Sequence, residues 1–197
     1  MRVAVFDSLA PDASLAGDVV VVPPGLGAPT PAEALGALRD FVGRGGRVLA
    51  LGDSVALLCA ADLLPGAVTT DAAADPTTHV RVEGRATPFT WAIPAGRILA
   101  LGGAPAHRYA AAPDDVAALS AHGRILLRYC DVSGGLARAA EPAASVAGLC
   151  DDTGRVVGIL SGISHALDCT LGGQVRRCLD STSPREAGRG RRPQAGG

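Results

Sequence analysis

The chain contains no lysine and few aromatic residues. All 18 of its basic residues are arginine, which with 19 acidic residues give a formal net charge of -1, and aromatics make up only 3% of the 197 residues. A nearly neutral chain gives no electrostatic reason to expect nucleic acid or an anionic membrane surface as a partner. Because apolar residues still account for 48% of the chain, the core must be built from alanine, valine and leucine, which suits close packing of helices on a sheet.

Long apolar runs and paired cysteines are also missing. No run of about 18 apolar residues occurs, and the opening MRVAVFDSLAPD has no signal-peptide segment. We therefore expect a soluble cytoplasmic protein without a membrane segment. The cysteines form no CxxC pair and lie at no zinc-finger spacing from a histidine. We expect structural thiols, no metal site and no cofactor. The five cysteines are Cys59, Cys130, Cys150, Cys169 and Cys178.

The first third of the chain has the pattern of a parallel α/β unit. Continuous β-branched runs at 2–6 and 18–25 are typical of strands that are buried on both faces. The stretch TPAEALGALRDFVGRGG predicts a helix, with Thr30 and Glu33 as a capping box and a glycine pair as its end. RVLAL at 47–51 follows as the next strand.

The rest of the chain predicts an antiparallel excursion and a hairpin. THVRVEG, PFTWAI and RILALGG are expected to be short strands, and PDDVAALSAHG a helix followed by the strand RILLRYC. SVAGLC and RVVGIL flank the turn signature DDTG and predict a hairpin. We expect one domain over 1–169 and a disordered tail over 170–197, where no apolar period remains.

The stretch LALGDSVALLCAADLLPG, residues 49–66, predicts a strand, a sharp turn at Gly52 and an apolar helix. Many α/β enzymes place a nucleophile at such an elbow. Gly52 to Ala56 fit the general shape of the motif, so Ser54 is a candidate nucleophile. The competing interpretation is that Asp53 or Ser54 caps the helix, a role that both residue types favour.

With these elements in place, the chain resembles the glutaminase subunit of phosphoribosylformylglycinamidine synthase, a class I glutamine amidotransferase of purine biosynthesis. The matching stretches include DVVVVPPG, LRDFVGRGGRVLALGDSVALLCAADLLPGAV, HRYAAAPDDVAALSAHGRILLRYCD and VAGLCDDTGRVVGIL, and they cover most of residues 18–168. The resemblance implies a flavodoxin-like three-layer α/β fold of the class I amidotransferase type. About a dozen residues separate the first two strands, too few for the family's usual helix and additional strand, so we expect a reduced N-terminal edge.

The resemblance also implies which positions carry the family's catalytic cysteine, histidine and glutamate. Glutamine hydrolysis needs a thiolate, an imidazole that moves the proton and a carboxylate that orients the imidazole. The matching positions in this chain are Gly52, Gly162 and Ser164. The family's triad is therefore expected to be absent.

Two further segments depart from the family. The glycine pair that helps to form the oxyanion site is reduced to PPGLG, which keeps Gly25 and has Leu26 at the next position. The His-Gly-Glu-Gly-Arg segment, which in the family contacts the neighbouring synthetase, keeps only Arg108 and Tyr109 in recognisable places. These departures concern the family's binding segments, in addition to its catalytic positions.

These observations leave two hypotheses. The first is a non-hydrolytic homologue of the purine-pathway glutaminase that acts as a binding or structural partner of a synthetase or in a related pathway. The alternative is a hydrolase that uses Ser54 as nucleophile and His165 as base, with Asp168 as the orienting carboxylate. A partner synthetase of the phosphoribosylformylglycinamidine synthase type is implied by the resemblance alone.

Overall fold

The structure of the protein is a computed structural model. It describes residues 3–5, 18–26, 32–70, 77–84, 87–91, 93–102, 107–137 and 141–160. The segment 170–197, for which the sequence predicts a disordered tail, lies outside them. The strands are β1 (Val3–Val5), β2 (Val19–Val22), β3 (Arg47–Leu51), β4 (Ala67–Thr70), β5 (Thr77–Val82), β6 (Ile98–Gly102), β7 (His107–Ala110), β8 (Ile125–Cys130), β9 (Val146–Cys150) and β10 (Val156–Ile159). The helices are α1 (Ala32–Gly43), α2 (Val55–Ala60) and α3 (Pro113–Ala121).

Eight of these strands form one sheet in the order β1-β2-β3-β10-β9-β8-β5-β6, and β4 and β7 form a separate antiparallel pair. The pairings of β1 with β2, β2 with β3 and β3 with β10 are parallel. From β10 to β6 every pairing is antiparallel. Strand β1 is at the edge of the described sheet, and the segment between β1 and β2, on which the predicted reduction of this edge depends, lies mostly outside the described residues.

Alternating side chains of the central strands divide the core between the two faces of the sheet. Val48 and Ala50 pack with the three helices in one cluster, whereas Leu49 packs with Phe89 and Ile93 on the other face. The described residues therefore show the sheet and one helical layer of the predicted three-layer arrangement. None of the three helices has the length and apolar character that spanning a membrane requires.

Local sequence explains where the helices end. Helix α1 stops at a glycine pair, in which Gly45 has a φ of +91° and Gly46 donates its N–H to the Phe41 carbonyl. Helix α3 begins at Pro113 and is followed by Gly123 with a φ of +67°. Both ends agree with the sequence. The predicted capping box of Thr30 with Glu33 involves a residue outside the described part of the chain.

The hairpin of β9 and β10 confirms the prediction from the DDTG turn. Asp151 organises the turn, because its carboxylate accepts the N–H of Val156 over 2.9 Å and the hydroxyl of Thr153. Gly154 supplies the left-handed residue, with a φ of +68°.

The prediction of a strand at PFTWAI is wrong. In the described part of this segment, Thr87 begins a turn in which its side-chain oxygen accepts the N–H of Phe89 over 3.2 Å and its carbonyl accepts that of Trp91 over 3.0 Å. Local hydrogen bonds of the threonine compete with strand pairing. Phe89 and Ile93 are nevertheless buried under the sheet.

Candidate functional site

The candidate site is the elbow between β3 and α2. Strand β3 ends at Leu51, a single 3₁₀ turn spans Gly52–Ser54, and α2 begins at Val55. The adjacent parallel strand β2 ends at the same edge of the sheet, where it leads into residues 23–26. Since ligand sites of open α/β sheets lie at the carboxyl ends of parallel strands, the fold places this elbow where a site is expected.

Gly52 has the backbone conformation that a strand-to-helix elbow requires, but as a glycine it has no side chain. Its φ is +62°, in the left-handed region that favours glycine. A Cβ atom at this position would lie 3.2 Å from Cβ of Pro24 and 3.4 Å from its Cγ. Pro24 therefore occupies the space into which a side chain of residue 52 would extend.

Two main-chain N–H groups of the 23–26 loop point at the elbow and are both bound there. The N–H of Gly25 donates to Oδ1 of Asp53 over 2.7 Å, and the N–H of Leu26 donates to Oγ of Ser54 over 3.2 Å. The hydroxyl of Ser54 in turn donates to the Pro23 carbonyl over 2.6 Å. The elbow thus fixes the loop through side-chain to main-chain bonds that connect residues 28 to 31 positions apart.

Of the two residues that the sequence offers as a cap of the following helix, Ser54 stands at the N-cap position of α2 and makes no side-chain capping bond, so the prediction is wrong for Ser54. No side-chain capping hydrogen bond is made at the start of the 3₁₀ turn or at the start of α2. The caps at these positions are main-chain bonds, while the side chains of Asp53 and Ser54 reach sideways to the neighbouring loop. A short polar residue before a helix favours a cap on local grounds, but here the loop after the adjacent strand brings other partners within reach.

Ser54 is fully buried, and its hydroxyl has both a donor and an acceptor in the loop. Its proton goes to the carbonyl of Pro23 and not to a base. Residues Gly162, Ser164, His165 and Asp168 lie outside the described residues. Strand β10, the last described strand, ends beside the elbow, because its final residue Ile159 is the register partner of Leu51.

The three described cysteines take no part in the hydrogen bonds between the elbow and the 23–26 loop. Cys130 and Cys150 are buried, Cys59 is partly buried, and all three are free thiols. Burial raises the pKa of Cys59 to about 11, and burial with the nearby charge of Asp151 raises that of Cys150 to about 11. These values oppose formation of a thiolate, which agrees with the structural role expected from the sequence. Cys169 and Cys178 lie outside the described residues.

Arg108 and Tyr109 lie in β7, beside a cleft of about 410 Å³ that is also lined by residues 141–144. Arg108 forms an ion pair with Glu141, with 3.6 Å between Nη1 and Oε2. The buried Tyr109 donates its hydroxyl to the Pro65 carbonyl over 3.0 Å, which connects β7 to the segment between α2 and β4. Within the described part of the chain, no cluster of three or more metal-binding side chains occurs.

Sequence reasoning missed the contact between the elbow and the 23–26 loop. A signal was available, because two buried runs in a row predict adjacent parallel strands whose following loops meet at one edge. A polar pair directly after one strand and a Pro-Pro-Gly loop after the other indicate the possible partners, although not which atoms bond.

No protein-family model matches the chain. The chain is similar to phosphoribosylformylglycinamidine synthase subunit PurQ of several bacteria. The identity is 34% over 155 residues for the Symbiobacterium thermophilum protein, which covers 75% of this chain and 66% of the relative. The Bradyrhizobium diazoefficiens protein is 33% identical over 152 residues, which cover 72% of this chain and 65% of that relative. The Synechococcus sp. protein is 35% identical over 150 residues, which cover 73% of this chain and 63% of that relative. The chain thus spans just under two thirds of these relatives' length.

Solved structures share the fold at lower identity. PurLQS from Thermotoga maritima superposes with a TM-score of 0.59 at 19% identity, covering 84% of this chain and 80% of the other. A putative component of GMP synthase from Thermoplasma acidophilum gives a TM-score of 0.54 at 11% identity, covering 83% and 71%. These likenesses confirm the predicted flavodoxin-like fold class.

Proposed function

Because the chain belongs to the family of phosphoribosylformylglycinamidine synthase subunit PurQ, we propose that it is a non-hydrolytic member that acts as a binding or structural partner of a synthetase. The observation that carries the proposal is the closed elbow. By resemblance, Gly52 stands at the position of the family's cysteine; its backbone has the left-handed conformation of an elbow, and Pro24 lies against it. The position thus has an elbow backbone, no nucleophile, and a neighbouring proline that would have to shift by a few tenths of an ångström to admit a Cβ atom.

The loop opposite the elbow supports the same proposal. By resemblance, the segment with Gly25 and Leu26 is the one that helps to form the family's oxyanion site. Such a site needs N–H groups that are aimed at the developing negative charge and free to bind it. Here the N–H of Gly25 donates to the Asp53 carboxylate and that of Leu26 to the Ser54 hydroxyl. An incoming amide would have to displace the Asp53 carboxylate before the Gly25 N–H could stabilise it, and the Ser54 hydroxyl before the Leu26 N–H could do so.

The bonds of Ser54 disfavour the alternative hydrolase. A serine nucleophile must pass its proton to a base, whereas the hydroxyl of Ser54 donates to a main-chain carbonyl at 2.6 Å and is fully buried. Reaction at this oxygen would require the 23–26 loop to release the elbow.

The activity test measures glutamate released from glutamine by the purified chain, with and without the synthetase of phosphoribosylformylglycinamidine synthase and its substrate. We expect background rates in every combination. In a triad enzyme, loss of the nucleophile alone lowers turnover by about a millionfold. Restoring only the thiol, as Gly52→Cys, should also give background rates because no base or orienting carboxylate accompanies it.

Ser54→Ala is the matched variant in this assay. Turnover by the wild-type chain that disappears in Ser54→Ala would contradict the proposal and establish the serine hydrolase. Turnover that survives in Ser54→Ala would contradict both hypotheses.

The partner role is tested separately, by size-exclusion chromatography of the chain mixed with the same synthetase. We propose that the cleft beside Arg108 takes part in the contact, since this residue remains from the family segment that faces the synthetase. Co-elution that is weakened by Arg108→Ala and unchanged in Arg44→Ala, an exposed arginine just after α1, is the expected result. Failure of the wild-type chain to co-elute would contradict the partner role. It would not affect the conclusion of the glutamate-release assay.

A further inference from the structure

Two arginines face each other in the antiparallel part of the sheet. Arg81 of β5 and Arg128 of β8 are register partners, a position that puts both side chains on one face with their Cβ atoms about 5 Å apart. Like charges directly opposite each other destabilise a sheet. Negative charge near the two arginines would therefore reduce their repulsion.

The described residues supply one carboxylate to this pair. Glu83 accepts from Nε of Arg81 through Oε1 at 2.7 Å, and Nη1 of Arg81 donates to the Gly134 carbonyl over 2.7 Å. The carboxylate of Asp131 is turned to its own loop, where it accepts from Ser133 and Gly135. Among the described residues, two guanidinium groups thus share a single negative charge.

Arg128 meets only neutral acceptors among the described residues. Its Nη1 donates to Oγ of Ser145 over 2.6 Å and to the Pro142 carbonyl over 3.2 Å. The residue is 9% exposed. Burial lowers the pKa of Arg128 and the charge of Arg81 lowers it further, against the opposing effect of Glu83. A buried cation whose charge is only partly balanced is unfavourable, so an added anion would stabilise this arrangement.

Solvent reaches the pair from one side. The side chains of Arg81 and Glu83 are 31% and 28% exposed, and Ala100 of β6, which lies on the same face of the sheet, is exposed. An ion can therefore approach the guanidinium group of Arg81, next to Arg128, without unfolding of the sheet.

We propose that Arg81 and Arg128 form a binding site for a small oxyanion, of the phosphate or carboxylate class, on this face of the β5–β8 pair. The planar fork of a guanidinium group matches the oxygen spacing of both anions and binds them through paired, charge-assisted hydrogen bonds. The site is separate from the elbow and does not depend on the proposed function. Together with Glu83, a bound oxyanion would balance the positive charges of Arg81 and Arg128.

The test is isothermal titration of the full chain with inorganic phosphate and, in a second arm, with acetate, both at constant ionic strength set by sodium chloride. We expect saturable binding of at least one of the two anions, and the tighter one identifies the class. Arg81→Gln, which keeps the buried Arg128 intact, should weaken this binding about tenfold or more because it removes one guanidinium group. Glu83→Gln should tighten it several-fold, because the competing carboxylate is gone.

The matched control is Arg155→Gln, an exposed arginine in the turn between β9 and β10, which should leave binding unchanged. Absence of saturable binding to the wild-type chain would overturn the proposal. Equal weakening by Arg155→Gln and Arg81→Gln would also overturn it, since only diffuse charge would then be at work. A Glu83→Gln variant that binds more weakly would contradict the assigned competition.

Discussion

The main-chain N–H of Gly25 donates to the carboxylate of Asp53 across 2.7 Å, from the loop after β2 to the elbow after β3. Gly25 has a φ of +100°, so the donor is aimed by a conformation that few other residues adopt. The bond joins the carboxyl ends of two parallel strands at the place where this fold carries its ligand sites. An internal carboxylate thus occupies a donor that an external ligand would otherwise need.

Removal of this acceptor should loosen the loop locally. We expect Asp53→Ala to lower the hydrogen-exchange protection of the Gly25 amide by about tenfold or more, since a hydrogen bond to a charged acceptor contributes about 1.5–3 kcal/mol. Exchange followed by NMR at residue resolution measures the effect. Asp62→Ala is the control, because Asp62 is exposed and pairs with Arg39 at the surface. Unchanged protection of Gly25 in Asp53→Ala would contradict the assigned bond.

Ser54→Ala should lower the free energy of unfolding by about 1–3 kcal/mol. The substitution leaves the Pro23 carbonyl and the Leu26 N–H without their partner in a buried site, and an unsatisfied buried group has a cost in this range. Urea denaturation monitored by circular dichroism measures the change. Ser120→Ala, on the exposed side of α3, should shift the free energy by no more than about 0.5 kcal/mol. Equal effects of the two substitutions would mean that the bonds of Ser54 contribute little.

The elements that the sequence predicted best are those in which local pattern and tertiary environment agree. Arg47–Leu51 was predicted from a continuous apolar run and is a strand with the same bounds, because a strand buried on both faces needs no alternation. The segment at PFTWAI has a strand-like composition, yet Thr87 bonds to its own neighbours and turns the chain. Composition does not distinguish these outcomes when a residue can satisfy the backbone locally.

The candidate site shows the same division. The position of the elbow and the glycine at its turn followed from the sequence, and Gly52 has the positive φ that such a turn requires. The partners of Asp53 and Ser54 did not follow, because they lie 28 to 31 residues earlier and are brought close only by strand pairing. Capping preference depends on the local sequence alone, whereas Ser54 here bonds to a neighbouring loop.

Buried thiols should react slowly in the folded protein. A thiol with the ordinary pKa of 9.0 is about one tenth ionised at pH 8, whereas Cys59 and Cys150, with pKa values of about 11, are ionised about a hundredfold less. We expect alkylation of these two by iodoacetamide at pH 8 to be at least about a hundredfold slower than in the urea-unfolded chain. Mass spectrometry of the tryptic peptides separates the individual cysteines.

The same pKa shifts predict a dependence of stability on pH. The folded state holds the protons of Cys59 and Cys150 to about pH 11, while the unfolded thiols lose theirs near pH 9. The unfolded state therefore binds fewer protons between these values, and stability should fall as the pH rises from about 9 to 11. Cys59→Ser and Cys150→Ser should each reduce this slope in urea denaturation. A slope unchanged in both variants would contradict the shifted pKa values.

Gly52→Ala should destabilise the protein even though it adds a single methyl group. A residue with a Cβ atom in the left-handed region costs about 1–2 kcal/mol, and this Cβ would also press on Pro24 at 3.2 Å. The matched control is Gly36→Ala in the middle of α1, where an added Cβ meets nothing within 4 Å and where alanine is favoured over glycine by about 0.5–1 kcal/mol. The two substitutions have the same chemistry and should shift the urea midpoint in opposite directions. A shift of the same sign and size in both would mean that neither the positive φ nor the contact with Pro24 governs the elbow.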